Sequence, residues 1–335
     1  MRKSVTTALL AACMAVGAAA LGLSAAAAEV TLKLHHFLPT TSITHEDFLV
    51  PWAERVEAAS GGRIDIQIYP AMQLGGRAPQ LYDQVRDGVV DMAWTLPSYT
   101  PGRFPITRVF QLPFMVSNAE ATSQAIEVFA ERHLRDEFGD VKPLLFHVHD
   151  RGVLHMKDRP VRRMEDLEGA KIRAPGRAIG DALEALGATP VFMPVPQVPE
   201  ALSRGVIDGA AIPYEVMLAL RVHEIADSHT EVKGPRGLYT AVFLFAMNRE
   251  RYESLPEDLR RIIDEHTGLA LARRAGRLWD AEEARARAAA RAEGNAIHAI
   301  DGAEAERWKQ TTGPVIEAWV RDMDEQGLDG RALLE

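Results

Sequence analysis

The 335-residue chain is 47% hydrophobic, 25% charged and 7% aromatic, and 47 acidic against 38 basic residues give a formal net charge of -9. At ~100–200 residues per domain, that length predicts two domains with ample core, and the ordinary composition argues against global disorder, collagen and coiled-coil arrays. The acidic balance argues against a nucleic-acid binder, which needs a basic surface to neutralise phosphates, and against attachment to an anionic membrane.

The N-terminus reads as an export signal. Arg2 and Lys3 precede an apolar run over residues 7–23, and Ala26-Ala27-Ala28 fits the small-x-small cleavage pattern. Residues 1–28 are therefore expected to be removed, leaving a periplasmic chain that starts at Glu29. Leu10-Ala11-Ala12-Cys13 also resembles a lipobox, but the apolar run before Cys13 is short and continues past it. Cys13 is the single cysteine, so the mature chain lacks disulfides, thiolate metal ligands and Cys nucleophiles. No later stretch is apolar for long enough to span a bilayer.

Residues 30–37 read as a buried strand, 44–59 as a helix stopped by Gly61-Gly62, and 63–69 as an alternating strand. Residues 79–87 form a short predicted helix capped by Gly88, followed by a strand over 89–95. Strands alternating with helices predict α/β lobes with largely parallel sheets. One internal match carries the architecture. Residues 80–93, QLYDQVRDGVVDMA, and 197–210, QVPEALSRGVIDGA, share Gln, Gly, Val, Asp and Ala in place at a constant offset of 117 residues. Each copy reads as a helix ending on a C-cap glycine and then a strand, so two lobes share one βαβ plan.

Connections between the lobes are expected near 147–152 and 234–240, with the apolar run 238–247 as a crossing strand. Lobe one is assigned residues 29–149, completed by about 238–256. Lobe two is assigned 150–237, completed by about 257–335. A long helical region opens at Pro256, breaks near Gly268 and runs to about Glu293 as a brace, and 303–325 supplies a last amphipathic helix. Two crossings and a long brace suit a hinge that opens and closes on a ligand.

Enzyme motifs are missing: there is no nucleophile elbow, Walker loop, H-E-x-x-H or dinucleotide fingerprint, and Leu74-Gly75-Gly76 reads as a plain turn. His35-His36 and His147-x-His149 lie at strand ends. Without a matching third ligand they read as hydrogen-bonding groups of a cleft rather than as a zinc site. Arg173, in Lys171-Ile172-Arg173-Ala174-Pro175, projects from the carboxyl end of a short strand. In α/β sheets ligands bind at such ends, and a guanidinium there can hold a carboxylate by two parallel hydrogen bonds. A surface or structural ion pair is the competing role for an arginine so placed.

Three segments carry a family resemblance: RPVRRMEDLEGAKIRAPG (159–176), LGATPVFMPVPQVPEALSRGVIDGA (186–210) and AMNRERYESLPEDLRRII (246–263). With them the chain resembles the substrate-binding proteins of TRAP (tripartite ATP-independent periplasmic) transporters, of the DctP-like type, over nearly all of its mature length. The resemblance implies a two-lobe periplasmic binding protein fold with a cleft, hinge strands and a long bracing helix. It implies no enzyme activity and no cofactor. It also implies capture of an organic acid and delivery to integral membrane subunits, with uptake driven by an ion gradient.

By the resemblance, Arg173 in the K-[IL]-R-x-P stretch pairs with the ligand carboxylate, and Arg151 is the arginine nearest to a second family position. Ile212 stands before Pro213 where many members have Asn, which suggests a less polar ligand than a sialic acid or sugar acid. Tyr214-Glu215 matches an aromatic–acidic pair that touches ligand or a bound cation in some relatives. In lobe one the resemblance places ligand contacts in loops that hold His36, Phe37, Trp94 and Tyr99, although Phe37 and Trp94 are equally natural as core. With Val195, Ile212 and Tyr214 they would make an aromatic, apolar pocket around one charge, suited to a flat or branched monocarboxylate. Competing readings are a binding protein of an ATP-driven importer, a ligand-sensing adaptor and an exported hydrolase or isomerase.

Overall fold

The computed structural model describes residues 28–335, so the expected signal peptide and Cys13 lie outside the described residues. Two sheets organise the chain. The first has the order β2 (Ile64–Tyr69), β1 (Val30–His36), β3 (Met92–Thr95), β10 (Val242–Asn248) and β4 (Val141–Val148). The second has the order β11 (Ala296–Ile300), β9 (Ser228–Val232), β5 (Val153–Met156), β8 (Gly209–Ile212), β6 (Lys171–Ala174) and β7 (Thr189–Phe192). In each, three parallel strands (β2-β1-β3 and β7-β6-β8) are continued by an antiparallel strand, β10 or β5.

The internal repeat is reproduced element by element. The 3-10 turn Ala78–Gln80, helix Leu81–Arg86 and strand Met92–Thr95 of one copy correspond to Val195–Gln197, Val198–Ser203 and Gly209–Ile212 of the other, each displaced by the same 117 positions. Gly88 and Gly205 take φ of +71° and +70° at the two helix ends, the left-handed conformation that only glycine adopts without steric cost. The strand expected from residue 89 begins only at Met92. Val89 is exposed and its N–H bonds back to the Gln84 carbonyl, so the residues after Gly88 close the helix instead of pairing.

The chain passes between the sheets by two crossing segments, after β4 and after β9, and a third time after β10 through the helices that lead to β11. The two crossing segments are tied together: Gly152 N–H donates to the Tyr239 carbonyl at 2.8 Å, and the Thr240 hydroxyl to the His149 carbonyl at 2.8 Å. Every residue of β10, VFLFAMN, is buried, as expected of a strand covered on both faces. The 25-residue helix Gly268–Ala292, ~37 Å long at 1.5 Å per residue, lies against helix Ala119–His133. Their approach is close because Gly276 has no side chain; a Cβ there would sit 2.3 Å from Glu120 Cα. From the same helix, the Asp280 carboxylate accepts the Ala119 and Glu120 N–H groups at 2.7 and 3.0 Å, satisfying orphan donors at that N-terminus.

The last helix, Gly302–Glu325, also touches both halves. Its Trp319 indole donates to the Pro105 carbonyl at 2.9 Å, and Trp319 and Val320 pack with Ala178 of helix Arg177–Ala185. Among the described residues no helix is long and apolar enough to cross a membrane.

Candidate functional site

The carboxyl ends of β1, β3, β6 and β8 all point at one cavity between the sheets, holding about 370 Å³ of empty space. The repeat lines it from both sides: Trp94, Leu96 and Tyr99 in the first copy correspond to Ala211, Pro213 and Val216 in the second, and all six face the cavity. Seven of the ten residues singled out in the sequence line it: Phe37, Trp94, Tyr99, Arg173, Val195, Ile212 and Glu215.

Arg173 is the chemical centre. It is 2% exposed, reaching inward from β6. Its Nε donates to the Met193 carbonyl at 2.9 Å, Nη1 to the Ala211 carbonyl at 3.0 Å, and Nη2 to the Tyr99 hydroxyl at 3.4 Å. These bonds fix the fork and leave one N–H on each terminal nitrogen. Among the described residues no carboxylate lies within 4 Å of it, and burial lowers its proton affinity, partly offset by Tyr99 and Tyr239. A buried cation without a counter-charge is costly.

The Tyr99 oxygen also accepts the Val195 N–H at 3.0 Å, so one phenol joins the first sheet to two elements of the second. Aromatic rings make the walls. Phe37 lies 5.2 Å from Trp94 and 5.6 Å from Tyr99 between centroids, and Trp94 stacks on Phe243 at 4.6 Å and 19°. The Trp94 indole donates to His147 Nε2 at 2.9 Å, which holds the ring in place from behind. Phe37 and Trp94 are thus core residues on one side and cavity wall on the other.

Three expectations are corrected. His36 does not line the cavity: its Nε2 lies 3.0 Å from His45 Nδ1, so the ring is engaged with the helix that follows β1. Arg151 holds the crossing segment, donating to the carbonyls of Ser117 at 2.8 Å and Gly234 at 2.8 Å, and it borders a separate polar groove. Tyr214 points away and donates to Glu231 at 2.7 Å beside Arg287. Successive helical residues diverge by about 100°, so of Tyr214 and Glu215 only the second turns inward. Glu215 accepts the Trp279 indole N–H at 3.0 Å, and burial pushes its carboxyl up to about 8.

Sequence reading missed Tyr239, Ala241 and Phe243, which line the cavity from the returning crossing segment; His149, expected as a hydrogen-bonding group of a cleft, lines it too. His149 accepts the Ala241 N–H on Nε2 at 2.9 Å and faces the Asp150 carbonyl with Nδ1, so its proton sits on Nδ1. Burial, with Arg173's charge added, pushes it down to about 3.

Buried groups of opposite kinds set the pH response. Burial pushes His36, His147 and His149 down to about 3 and His229 to about 4. It pushes Glu127 up to about 7 and Asp150 and Glu215 to about 8. The histidines charge only on unfolding, so stability falls as pH drops below ~6.5, their unfolded value. The acids keep their protons only when folded, so stability falls as pH rises from ~4 to 8, and above ~6.5 no histidine opposes them. A melting temperature highest near pH 6.5, and lower at both pH 4.5 and pH 8.5, is the expected thermal-unfolding result. A continued rise to pH 8.5 would contradict these assignments.

Two lobes with a cavity at the carboxyl ends of their strands define the class: a solute-binding protein. The chain belongs to the bacterial extracellular solute-binding proteins, family 7, the DctP family, whose model matches residues 34–322. Among solved structures it is similar to a marine-metagenome TRAP solute-binding protein specific for aromatic acid ligands, in complex with 3-hydroxybenzoate, at 47% identity and a TM-score of 0.90 over 92% of this chain and 96% of that one. A TRAP solute-binding protein from Rhodoferax ferrireducens T118, in complex with copurified benzoate, is 48% identical with a TM-score of 0.89 over 91% and 95%. One from Bordetella bronchiseptica, with bound (R)- and (S)-mandelate, is 32% identical with a TM-score of 0.84 over 91% and 96%.

Proposed function

We propose that this protein is the periplasmic binding subunit of a TRAP transporter and that it captures an aromatic monocarboxylate of about benzoate size. Arg173 carries the reading: one buried cation, free of any acidic partner among the described residues, inside a cavity walled by Phe37, Trp94, Tyr99, Tyr239 and Phe243. The ligand carboxylate takes the two remaining Nη hydrogens as a bidentate pair, and the ring lies among the aromatic walls. The 47–48% identical relatives that hold benzoate and 3-hydroxybenzoate support the same class.

The mechanism is capture without chemistry. Residues 29–149 with about 238–256 form one closing body, residues 150–237 with parts of 257–335 the other, and the chain is exported by cleavage near Ala28. The closed, loaded form is handed to integral membrane subunits that use an ion gradient.

Thermal shifts of mature protein refolded free of ligand test the reading. A ligand at 100 times its Kd stabilises by ~2.7 kcal/mol. Benzoate, phenylacetate and mandelate should each raise the melting temperature by several degrees, and succinate, glucuronate and neutral sugars should not. Shifts with succinate or sugars and none with benzoate would overturn the assignment.

A further inference from the structure

The cavity has a second polar feature that a carboxylate on Arg173 leaves unused. Among its polar side chains, Trp94 is spent on His147, Tyr239 donates to the Val153 carbonyl at 3.1 Å, and both His149 nitrogens are engaged. Tyr99 belongs to the Arg173 end. What remains is Glu215, only 9% exposed, with the Trp279 indole on Oε1.

Glu215 and Arg173 do not pair with each other; Tyr239 is the neighbour that feels both. Burial is the largest influence on the Glu215 carboxyl and raises it, the N–H groups of Glu215, Trp279 and Val216 lower it, Glu282 adds repulsion, and no cation is among these largest influences. No group of three or more His, Cys, Asp or Glu suited to a metal occurs among the described residues.

We propose that Glu215 determines specificity: lining the same cavity without pairing with Arg173, its carboxyl hydrogen-bonds a hydroxyl carried on the ligand's ring. The preferred substrates are then hydroxylated aromatic monoacids. An aromatic diacid is disfavoured because its second ionised carboxylate would be buried with no second cation. This inference rests on the aromatic-acid reading above and specifies its substrate. A buried carboxyl facing an apolar ring with no hydroxyl to meet it gives the site a reason to reject the unsubstituted ring.

The test is the ratio of Kd values, by calorimetry at pH 7, for benzoate against the best-binding of 2-, 3- and 4-hydroxybenzoate. Wild type should favour the hydroxylated acid by roughly tenfold or more, the scale of one buried hydrogen bond. Glu215→Leu should bring the ratio close to one, while Glu215→Gln, whose amide still donates and accepts, should keep most of it. Equal affinities in wild type, or a preference that survives in Glu215→Leu, would overturn the proposal. So would a preference that requires added Na⁺ or Ca²⁺, since Glu215 would then be holding a cation. Failure of wild type to bind benzoate and all three hydroxybenzoates would instead overturn the aromatic-acid reading beneath it, and this proposal with it.

Discussion

Replacing Arg173 by Ala should weaken binding of an aromatic acid such as benzoate by several hundred-fold or more. Removing one member of a buried charge pair costs ~3–5 kcal/mol, and each 1.4 kcal/mol is a factor of ten. Arg173→Lys should lose much of the same affinity, because an ammonium cannot reproduce the planar fork that Met193, Ala211 and Tyr99 hold in place. The two roles of an arginine at this position separate in the ligand-free protein. A structural Arg173 would make the variant melt earlier. An anion receptor carries its charge unpaired until ligand arrives, so the free Arg173→Ala protein should melt at or above the wild-type temperature while its ligand-induced shift disappears. Calorimetry and thermal unfolding on the same samples read both.

Gly176→Ala should weaken ligand binding five- to a hundred-fold although residue 176 does not line the cavity. Its backbone is extended, at φ of -173°, so alanine brings no backbone strain. The obstacle lies across the cleft: a Cβ at Gly176 would come 2.6 Å from Ser98 Cβ and 3.3 Å from the Ser98 carbonyl oxygen. Ser98 sits in the turn Pro97–Tyr99 of the first half, whose Tyr99 reaches over to Arg173 and Val195. Overpacking of this kind costs ~1–3 kcal/mol, and here the cost falls only on the state in which the two halves touch. The ligand-free protein should therefore keep its melting temperature, and small-angle scattering should show the variant staying more extended at a benzoate concentration that compacts wild type. Unchanged affinity would mean that the contact of Ser98 with Gly176 is not part of the liganded state.

The fold was legible where the sequence repeats a physical rule. Alternation in residues 63–69 and the paired glycines at 61 and 62 marked a strand and a helix stop, and the match at constant offset exposed two copies of one plan. Residue 89 misled because a valine after Gly88 looks like the start of a strand, whereas its N–H is consumed in closing the helix. The strand end and the proline after it placed Arg173 at a strand's carboxyl end but left a structural ion pair open, and only the family resemblance made it the expected ligand anchor. His36, Arg151 and Tyr214 were misplaced for a shared reason: neighbours in sequence point in different directions, and only the three-dimensional path decides which of Tyr214 and Glu215, or His36 and Phe37, turns inward. Tyr239 and Phe243 left no signal at all. In the continuous apolar run 238–247 no polar alternation marks one face, and both faces are in fact buried.

A crystal structure of the mature protein grown with benzoate tests the central claim most directly. The carboxylate should bridge the two Nη atoms of Arg173, with the ring among Phe37, Trp94 and Phe243. A carboxylate bound elsewhere, on Arg151 in the polar groove beside Asp150 and Glu283 or on the surface, with Arg173 still unpaired, would contradict it.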